Sequence, residues 1–375
     1  MAATKYGKLV ETLRSGILSG RYGHGLPFPS VRALIRRYGL SDSTVQRALD
    51  VLSAQGLITR QQGRGTFVTA GRAAGAARVN GGKIGMIVPD HGRSEFFPVI
   101  AREISRLAQK EGCTLLFGEV SAETDEGRIE QMGNLAADFI KQGVAGVIFQ
   151  PIDYVKDGEK ANRGVLARFD AASVPVVLCD YDFVDAPDRS VYDVVGINNV
   201  EAGALVVRHL VAQGARRICF HLKPYAPQSH KNFVRGAIAE WSALSGAASR
   251  GRILECPPDD VAAVRAYCRR NRPDAFVCGN DSCAAKLKKA LAAIGLCVPR
   301  DLFLTGVNDI QIAQLLTPTL TTIHIPCEQV AQAAFDRLLV RIANPTLPPV
   351  EINLPASLVV RGSTKPAKTR NAKTP

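Results

Sequence analysis

The sequence lacks any long apolar run. No stretch of its 375 residues approaches the roughly 18 consecutive apolar residues that a membrane-spanning helix requires. The first residues, MAATKYGKL, also lack the apolar core of a secretory signal. We therefore expect a soluble protein of the cytoplasm that has no membrane partner.

Cysteine pairs with metal-binding or redox spacing are also absent. The nine cysteines are an odd number, are scattered between Cys113 and Cys327, and include no CxxC pair. Most lie in apolar segments, as is typical of buried thiols in a reducing compartment. The sequence therefore predicts neither a disulfide framework nor a metal site.

Common catalytic motifs are missing as well. The chain contains no GxxxxGK[ST] phosphate loop, no HExxH, no GxSxG and no GxGxxG turn that enters a helix. Its six histidines are dispersed along the chain. We therefore expect no enzymatic activity and no cofactor.

Positive charge is present, but it is distributed unevenly. The formal net charge is +13, and residues 1–69 carry ten Lys and Arg against three acidic residues. Residues 83–362 are formally neutral, and the remaining positive charge lies in residues 70–82 and in the tail after Gly362. This distribution indicates a small N-terminal module that binds a polyanion, attached to a neutral domain.

Residues 41–68 predict one helix followed by a two-stranded hairpin. Ser41 is a suitable N-cap, and Val45, Leu49 and Leu52 recur at helical spacing and predict a buried face. Gly56 suits the end of the helix, and the strands then flank a turn that contains Arg64. The predicted outward positions of the helix are polar: Ser43, Thr44, Gln46, Arg47 and Asp50.

Polar groups of this kind suit base edges in a DNA major groove, where Gln can pair with adenine and Arg with guanine. Arg64 between two glycines suits a close approach to phosphates or to a minor groove. Taken alone, the same residues also fit an ordinary surface helix and hairpin. Two preceding segments, an amphipathic helix from Tyr6 and a second helix opened by Pro29 and Ser30, complete a winged helix-turn-helix.

Several motifs of residues 6–69 occur in the order found in GntR-type bacterial transcription regulators: ILSG (17–20), LP (26–27), PSVRAL (29–34), SDSTVQRAL (41–49), GLI (56–58) and GRGTFV (63–68). The segment resembles that family. The resemblance implies DNA contacts by the following residues: Arg32, Ser43, Thr44, Gln46, Arg47 and Gly65. The family often has arginine at the positions of Asp42 and Gln46, so its operator sequence does not carry over to this chain.

Residues 70–82 are small and glycine-rich and predict a linker. Beyond them, apolar strands alternate with amphipathic helices, which predicts an α/β fold with parallel sheets covered on both faces. The predicted strands are 84–88, 115–120, 144–149, 174–178, 194–197, 217–221, 275–278 and 302–307; the predicted helices are 97–111, 129–142, 199–213, 233–244, 261–270 and 282–294.

Motifs of this region resemble the effector domain of LacI-type repressors, which is itself similar to periplasmic sugar-binding proteins. They are KIGMIVP (83–89), GVIFQP (146–151), VPVVLCD (174–180), NN (198–199), HLVAQG (209–214), GND (279–281), GVND (306–309), LTTI (320–323) and LPASLVVR (354–361). The resemblance implies an effector domain over 83–362 with two lobes and three crossovers. We expect an N-lobe of 83–188 and 310–343, a C-lobe of 190–308 and 346–362, and a disordered basic tail of 363–375.

In such a domain the ligand binds between the lobes, at the carboxyl ends of the strands. We expect the following residues to line the site: Asp90, Phe96, Phe97, Gln150 and Asp180 on the N-lobe, and His230, Asn232, Asn280 and Asp281 on the C-lobe. Asp281 matches an acidic ligand contact of the family, although it also fits a helix cap. Phe96 and Phe97 equally fit an interlobe core, and Asp180 a turn cap. Phe233 stands where the family commonly has arginine, which weakens the expectation of an ordinary sugar.

The sequence therefore predicts a cytoplasmic transcription regulator, with repression as the first expectation. Its expected partners are double-stranded operator DNA, a small-molecule effector with a carbohydrate as the first candidate, and a second copy in a homodimer. Two alternatives stay open. A ligand-blind architectural DNA-binding protein leaves the two-lobed domain without a purpose, and a GntR-type fusion to an aminotransferase-like enzyme requires a longer chain and a Schiff-base lysine signature.

Overall fold

The structure is a computed structural model that describes residues 5–18, 22, 28–54, 57–61, 65–68, 82–89, 96–245 and 252–365. Within these ranges no helix has the length and apolar character needed to cross a membrane. Of the predicted linker, only Gly82 belongs to the described residues.

The N-terminal segment forms three helices and a hairpin with a core of its own. Its elements are α1 (Lys5–Leu18), α2 (Val31–Tyr38), α3 (Asp42–Ala54), β1 (Ile58–Gln61) and β2 (Gly65–Val68). Ser30 caps α2 by accepting from the backbone N–H of Ala33, and Gly39 ends it in the left-handed region at φ 63°. Apolar side chains of all three helices and of the hairpin pack together. This arrangement is a winged helix-turn-helix.

The N-lobe of the larger domain contains a six-stranded parallel sheet. The strand order is β13-β7-β6-β5-β3-β4. The strands are β3 (Lys83–Pro89), β4 (Thr114–Val120), β5 (Val144–Phe149), β6 (Val176–Cys179), β7 (Asp193–Ile197) and β13 (Glu351–Leu354). The helices are α4 (Phe97–Lys110), α5 (Asp125–Lys141), α6 (Gly158–Ala171) and α12 (Cys327–Ala343). Strands buried on both faces explain the continuous apolar runs of the sequence.

The C-lobe repeats this architecture with strand order β14-β12-β11-β10-β8-β9, in which only the β12–β14 pair is antiparallel. The strands are β8 (Ile218–Leu222), β9 (Arg252–Glu255), β10 (Ala275–Cys278), β11 (Phe303–Asn308), β12 (Thr321–His324) and β14 (Ser357–Val359). The helices are α7 (Asn199–Ala212), α8 (Gln228–Ser245), α9 (Val261–Asn271), α10 (Asp281–Ala293) and α11 (Gln311–Leu315). The predicted α/β fold with parallel sheets is confirmed.

The lobe boundaries differ from the prediction. The chain passes between lobes after Ile197, after His324 and after Leu354, because β7 and β13 pair in the N-lobe sheet and β12 pairs with β11 in the C-lobe sheet. An apolar run predicts a strand but not its hydrogen-bonding partner. Helices α6, α11 and α12 were not predicted, and α5 and α8 begin earlier than expected.

The predicted tail also starts later than position 363. Gly362–Thr364 forms a short 3-10 helix in which Ser363 and Thr364 are buried. Ser363 donates from its hydroxyl to the carbonyl of Leu304, and the Thr364 hydroxyl lies 2.7 Å from that of Thr321. These hydrogen bonds hold the segment against the C-lobe sheet. Residues 366–375 lie outside the described residues.

Candidate DNA-binding and ligand-binding sites

Helix α3 presents a polar face next to the exposed side of α2. Ser43 and Arg47 are exposed, while Thr44 and Gln46 are partly buried. Thr44 is further held by a 2.8 Å contact between its hydroxyl and that of Ser41. The opposite face, with Val45, Ala48, Leu49 and Leu52, is fully buried. The helix is therefore fixed to the core on one side and leaves its N-terminal polar residues accessible.

The other predicted DNA contacts lie on α2 and the hairpin. Arg32 is exposed near the start of α2, in the same helix as exposed Arg36 and Arg37. Gly65 begins β2 and pairs with Gln61 across the antiparallel hairpin. Arg64 lies outside the described residues. The described part thus places one arginine of each helix, Arg32 and Arg47, on the surface of the helix-turn-helix.

The carboxyl ends of the two large sheets face each other, and Tyr154 bridges them. Tyr154 lies in the N-lobe loop after β5, and its backbone N–H donates to the Tyr225 carbonyl of the C-lobe over 3.2 Å. Its hydroxyl lies 2.9 Å from Nδ1 of His230, on α8. The Lys223 ammonium, directly after β8, lies 3.9 Å from the centre of the Tyr154 ring, a cation–π contact. We call the region of these contacts, where Tyr154 meets Lys223, Tyr225 and His230, the interlobe cleft.

Burial sets the protonation states in this cluster. Desolvation lowers the pKa of His230 to about 4, with smaller contributions from Lys223 and His221. His230 is therefore a neutral imidazole at neutral pH, and Tyr154 is a neutral phenol because burial raises its pKa well above the ordinary value. The ring of His230 packs against Gly279, where a Cβ would lie 2.8 Å from Nδ1. Lys223 thus carries the charge of this cluster.

The N-lobe wall of the cleft contains an amide and a carboxyl at adjacent strand ends. Gln150 directly follows β5, is 6% exposed, and its Oε1 has no hydrogen-bond partner within the described residues. Asp180 directly follows β6, and desolvation, with a smaller effect of Asp153, raises its pKa to about 7. Asp153 pairs with Arg128 at 3.7 Å. An acceptor oxygen and a carboxyl of this kind are suited to ligand hydroxyl groups.

Backbone strain is concentrated at the same place. Tyr154, Asp180 and Tyr225 have φ angles of 54°, 87° and 56°, in the left-handed region that non-glycine residues rarely adopt. All three lie in loops at the carboxyl ends of strands. Strained backbone of this kind persists where the surrounding contacts fix it, and it is often found at ligand sites.

Four other predicted residues lie elsewhere than expected or serve their own helices. Phe97 is fully buried in a hydrophobic core that contains residues of both lobes, and this burial closes it to a ligand. Phe96 is partly buried against that core, with its ring centre 4.3 Å from that of Phe97. Asn280 caps α10 by accepting from Cys283 N–H, and the Asn232 carbonyl accepts from Arg235 on the same helix.

Asp281 is a buried structural residue in this structure. It is 0% exposed, its Oδ2 accepts from Ile310 N–H at 3.0 Å, and its Oδ1 accepts from the Thr322 hydroxyl at 2.6 Å. Both oxygens are engaged within the C-lobe, so the expected direct contact with a ligand does not fit this placement. Asp281 instead ties α10 to the loop after β11 and to β12.

The residues that the sequence reasoning missed are Tyr154, Lys223 and Tyr225. The strand-end rule that selected Gln150 applies equally to Lys223, which directly follows β8. Tyr154 lies five positions after β5, and no sequence pattern indicates that it reaches the other lobe. Asp90 lies outside the described residues.

No metal centre is found in the part of the chain that the structure describes, since no three His, Cys, Asp or Glu side chains are grouped to hold an ion. All nine cysteines are free thiols, and seven of them are buried. Burial raises the pKa of several of these thiols, including Cys268 and Cys256 to about 11.

Comparisons with known proteins cover both parts of the chain. Residues 5–68 match the family described as "Bacterial regulatory proteins, gntR family". Residues 207–364 match the family described as "Periplasmic binding protein-like domain". The chain joins a GntR-type helix-turn-helix to a periplasmic-binding-protein-like domain. The GntR-type domain thus carries α3, and the periplasmic-binding-protein-like domain carries the C-lobe wall of the cleft.

Similar proteins match this chain at low identity. The "Arabinose metabolism transcriptional repressor" of Geobacillus stearothermophilus is 26% identical over 370 residues, which are 96% of this chain and 98% of that protein. A LacI family transcriptional regulator from Enterococcus faecium, solved with bound ribose, is 22% identical with a TM-score of 0.60 and covers 76% of this chain and 100% of its own. The lac repressor dimer bound to operator is 22% identical with a TM-score of 0.61 and covers 77% of this chain and 95% of its own. The last two likenesses concern the fold of the periplasmic-binding-protein-like domain.

Proposed function

We propose that this protein is a ligand-responsive transcription regulator of the cytoplasm rather than an enzyme. Two observations together carry the proposal: α3 has an exposed polar face, and in the two-lobed domain Gln150 and Asp180 follow N-lobe strands while Lys223 and His230 of the C-lobe contact Tyr154 of the N-lobe. The first part suits reading of base edges, and the second suits binding of a small polar molecule. The relative named as an arabinose repressor supports a carbohydrate effector and repression.

We propose that Arg32, Ser43, Thr44, Gln46, Arg47, Arg64 and Gly65 contact operator DNA. Arg47 is the best candidate for base readout because it is exposed on α3, one turn from Ser43. In the effector site we retain Gln150, Asp180, His230, Asn280 and, as further candidates, Asp90, Phe96 and Asn232. Tyr154 and Lys223 join them, whereas Asp281 and Phe97 are assigned to the scaffold.

We also propose a homodimer. A single winged helix makes too few contacts for tight specific binding, so two half-sites are expected. Apolar side chains on the edge strands support a protein interface on one side of the molecule. Phe117 of β4 is 41% exposed and Ile253 of β9 is 44% exposed, and these strands occupy equivalent edges of the two sheets.

Ligand binding would couple to DNA binding through the relative position of the lobes. Tyr154 contacts the C-lobe through its hydroxyl, its ring and its backbone N–H. A ligand bound beside Tyr154 would change the free energy of these contacts and therefore the closure of the lobes. A change in closure in both protomers would alter the spacing of the two α3 helices. The coupling is limited to the ligand's preference for one arrangement.

The DNA-binding part is tested by selection from a randomised DNA pool, followed by affinity measurements on the enriched sequence. Arg47→Ala should reduce the discrimination between enriched and scrambled duplexes by about 1–3 kcal/mol. Arg14→Ala removes the same charge from the exposed side of α1 and should leave discrimination unchanged. Failure to enrich any sequence would favour an architectural DNA-binding protein.

The effector part is tested by a thermal-shift screen against a carbohydrate library. A sugar that binds the native state should raise the melting temperature in a concentration-dependent way. The same sugar should change the affinity for the enriched duplex. Turnover of the sugar by the purified protein would contradict the proposal and support an enzyme.

A further inference from the structure

The formally neutral effector domain is strongly polarised between its lobes. The chain crosses between the lobes three times, so the charge of each lobe can be counted only after its strands are assigned to a sheet. The N-lobe, residues 83–197 and 325–354, contains 14 Lys and Arg against 22 Asp and Glu, a net charge of −8. The C-lobe, residues 198–324 and 355–362, contains 17 against 9, a net charge of +8.

Part of the positive charge is clustered at one end of the C-lobe. The cluster, here named the basic pole, consists of Arg216, Arg217, Arg269, Arg270 and Arg272, all exposed. Arg216 and Arg217 directly precede β8, while the other three end α9 directly before β10. Hydrogen bonds show that the two groups are adjacent, because Arg217 Nε donates to the carbonyl of Arg272.

One acidic residue lies within this cluster, and it is already engaged. Both carboxylate oxygens of Asp274 accept from the backbone N–H of Arg216, and Oδ1 also accepts from that of Arg217 at 2.7 Å. Its contact with the Arg217 guanidinium is long, at 3.9 Å. The side chains of Arg216, Arg269 and Arg272 make no hydrogen bond or ion pair within the described residues. Their guanidinium groups are therefore available to an external anion.

The C-terminal segment leads to the same end of the lobe. Thr364 lies 2.7 Å from Thr321, the first residue of β12, and 2.8 Å from His209, in the last turn of α7 just before Arg216. After Lys365 the sequence continues with Lys368, Arg370 and Lys373 and with no acidic residue. Lys365, the last described residue, is exposed and follows this segment.

The basic pole and the residue to which the linker attaches lie at the outward ends of opposite lobes. Tyr154, Lys223 and His230 show that the carboxyl ends of both sheets face each other, so the amino ends point outward. Gly82, where the linker joins the N-lobe, accepts from Thr114 N–H at the amino ends of β3 and β4. The arginines occupy the corresponding amino ends of the C-lobe sheet. We therefore expect a duplex held by the winged helix and a duplex held at the basic pole to be different segments of DNA.

We propose that the basic pole is a second, sequence-independent contact for the phosphate backbone of double-stranded DNA. Arginine is favoured for this role because its planar guanidinium binds phosphate oxygens with two parallel hydrogen bonds. The polarised domain strengthens the attraction at this end, while the acidic N-lobe repels DNA. The protein would then hold a second duplex, or a distant part of the same one, while the GntR-type domain occupies the first.

The test uses the full chain, a biotinylated mixed-sequence duplex on beads and a second, fluorescent duplex in solution. The wild type should retain the fluorescent duplex at low salt. The triple variant Arg216→Gln, Arg269→Gln, Arg272→Gln should still bind the beads but lose the fluorescent duplex. The matched control, Lys286→Gln, Lys288→Gln, Lys289→Gln, removes the same charge from α10 and should behave as the wild type.

Salt dependence gives a second readout for the same proteins. For each lost phosphate contact, the slope of log affinity against log salt should fall by about 0.9, in the arginine variant only. Equal capture by both triple variants would overturn the proposal. A wild type that binds the beads without retaining the second duplex would also overturn it. Self-association that depends on these arginines and needs no DNA would overturn it as well, because the partner of the basic pole would then be the acidic N-lobe of another copy. Arg47→Ala should lose sequence-specific binding but still retain the second duplex. Failure of the proposed sequence-specific function can therefore be distinguished from failure of the second DNA contact.

Discussion

The Tyr154 hydroxyl and Nδ1 of His230 are 2.9 Å apart and join the two lobes of the effector domain. His230 is neutral at neutral pH because burial lowers its pKa to about 4. The hydrogen bond is therefore one between uncharged groups. Tyr154 lies in the loop after β5 of the N-lobe and His230 lies on α8 of the C-lobe, so the hydrogen bond responds directly to lobe closure.

Removal of this hydrogen bond should weaken the lobe contact. We expect Tyr154→Phe to lower the free energy of unfolding by about 1 kcal/mol, because the hydroxyl group is lost while the ring keeps its contact with Lys223. Urea denaturation measures the change. Tyr225→Phe is the matched control, because Tyr225 contributes its backbone carbonyl to the contact and its side chain is 56% exposed. Equal effects of both substitutions would contradict the role of the Tyr154 hydroxyl.

Helices α7 and α8 approach each other at two glycines. A Cβ on Gly203 would lie 2.0 Å from the Phe233 carbonyl oxygen, and one on Gly236 would lie 2.0 Å from that of Val200. Gly236→Ala must therefore separate the helices and should lower the free energy of unfolding by about 1–3 kcal/mol. Because α8 carries His230, ligand affinity should fall as well.

Gly164→Ala provides the control for this substitution. Gly164 lies within α6, and a Cβ there would have no neighbour within 4 Å. Alanine in a helix is favoured over glycine by about 0.5–1 kcal/mol, so this variant should be as stable as the wild type or more so. A destabilised Gly164→Ala would show that helix glycines are required for a reason other than close packing. Thermal denaturation of both variants decides the matter.

Asp180 should make stability depend on pH. Its folded pKa is raised to about 7 by desolvation, above the ordinary value of about 3.9. Between these values the folded protein binds a proton that the unfolded chain releases, so this contribution to stability is present at low pH and is lost as pH rises through about 7. Asp180→Asn lacks this loss, and its stability relative to the wild type should increase between pH 4 and pH 8.

Urea denaturation across this pH range measures the Asp180 effect. Asp188→Asn removes a negative charge from an exposed position of the following loop and controls for the change in net charge. A difference between Asp180→Asn and wild type that stays constant with pH would refute the assignment. His230 and His221, whose pKa values are lowered to about 4, contribute in the opposite direction but equally in both proteins.

Asp281→Ala should act on folding before it acts on ligand binding. The substitution leaves the Ile310 N–H and the Thr322 hydroxyl without their acceptor inside the C-lobe, which costs about 1–3 kcal/mol. We expect a lower melting temperature both with and without a sugar that stabilises the wild type. An unchanged melting temperature together with complete loss of the sugar response would restore Asp281 as a direct ligand contact.

Several elements could be predicted from local sequence. The alternation of buried and exposed positions in α3 follows from Val45, Leu49 and Leu52, and the Ser30 cap follows from its position before an amphipathic run. Gln150 and Asp180 were selected because they follow recognisable strand ends. Phe97 and Asp281 were also expected in the site, but sequence position does not reveal that Phe97 is packed into the core or that both Asp281 carboxylate oxygens accept hydrogen bonds within the C-lobe.

Local sequence is sufficient for the class of each segment: a basic winged helix-turn-helix, then alternating strands and helices that form parallel sheets. These follow from apolar periodicity, capping residues and charge, all of which act over a few residues. The folded structure was needed to show which sheet β7, β12 and β13 join, that Tyr154 reaches His230, and that a neutral domain divides into lobes of charge −8 and +8. Strand pairing and charge clustering depend on contacts between distant segments, and local patterns do not encode which segments meet.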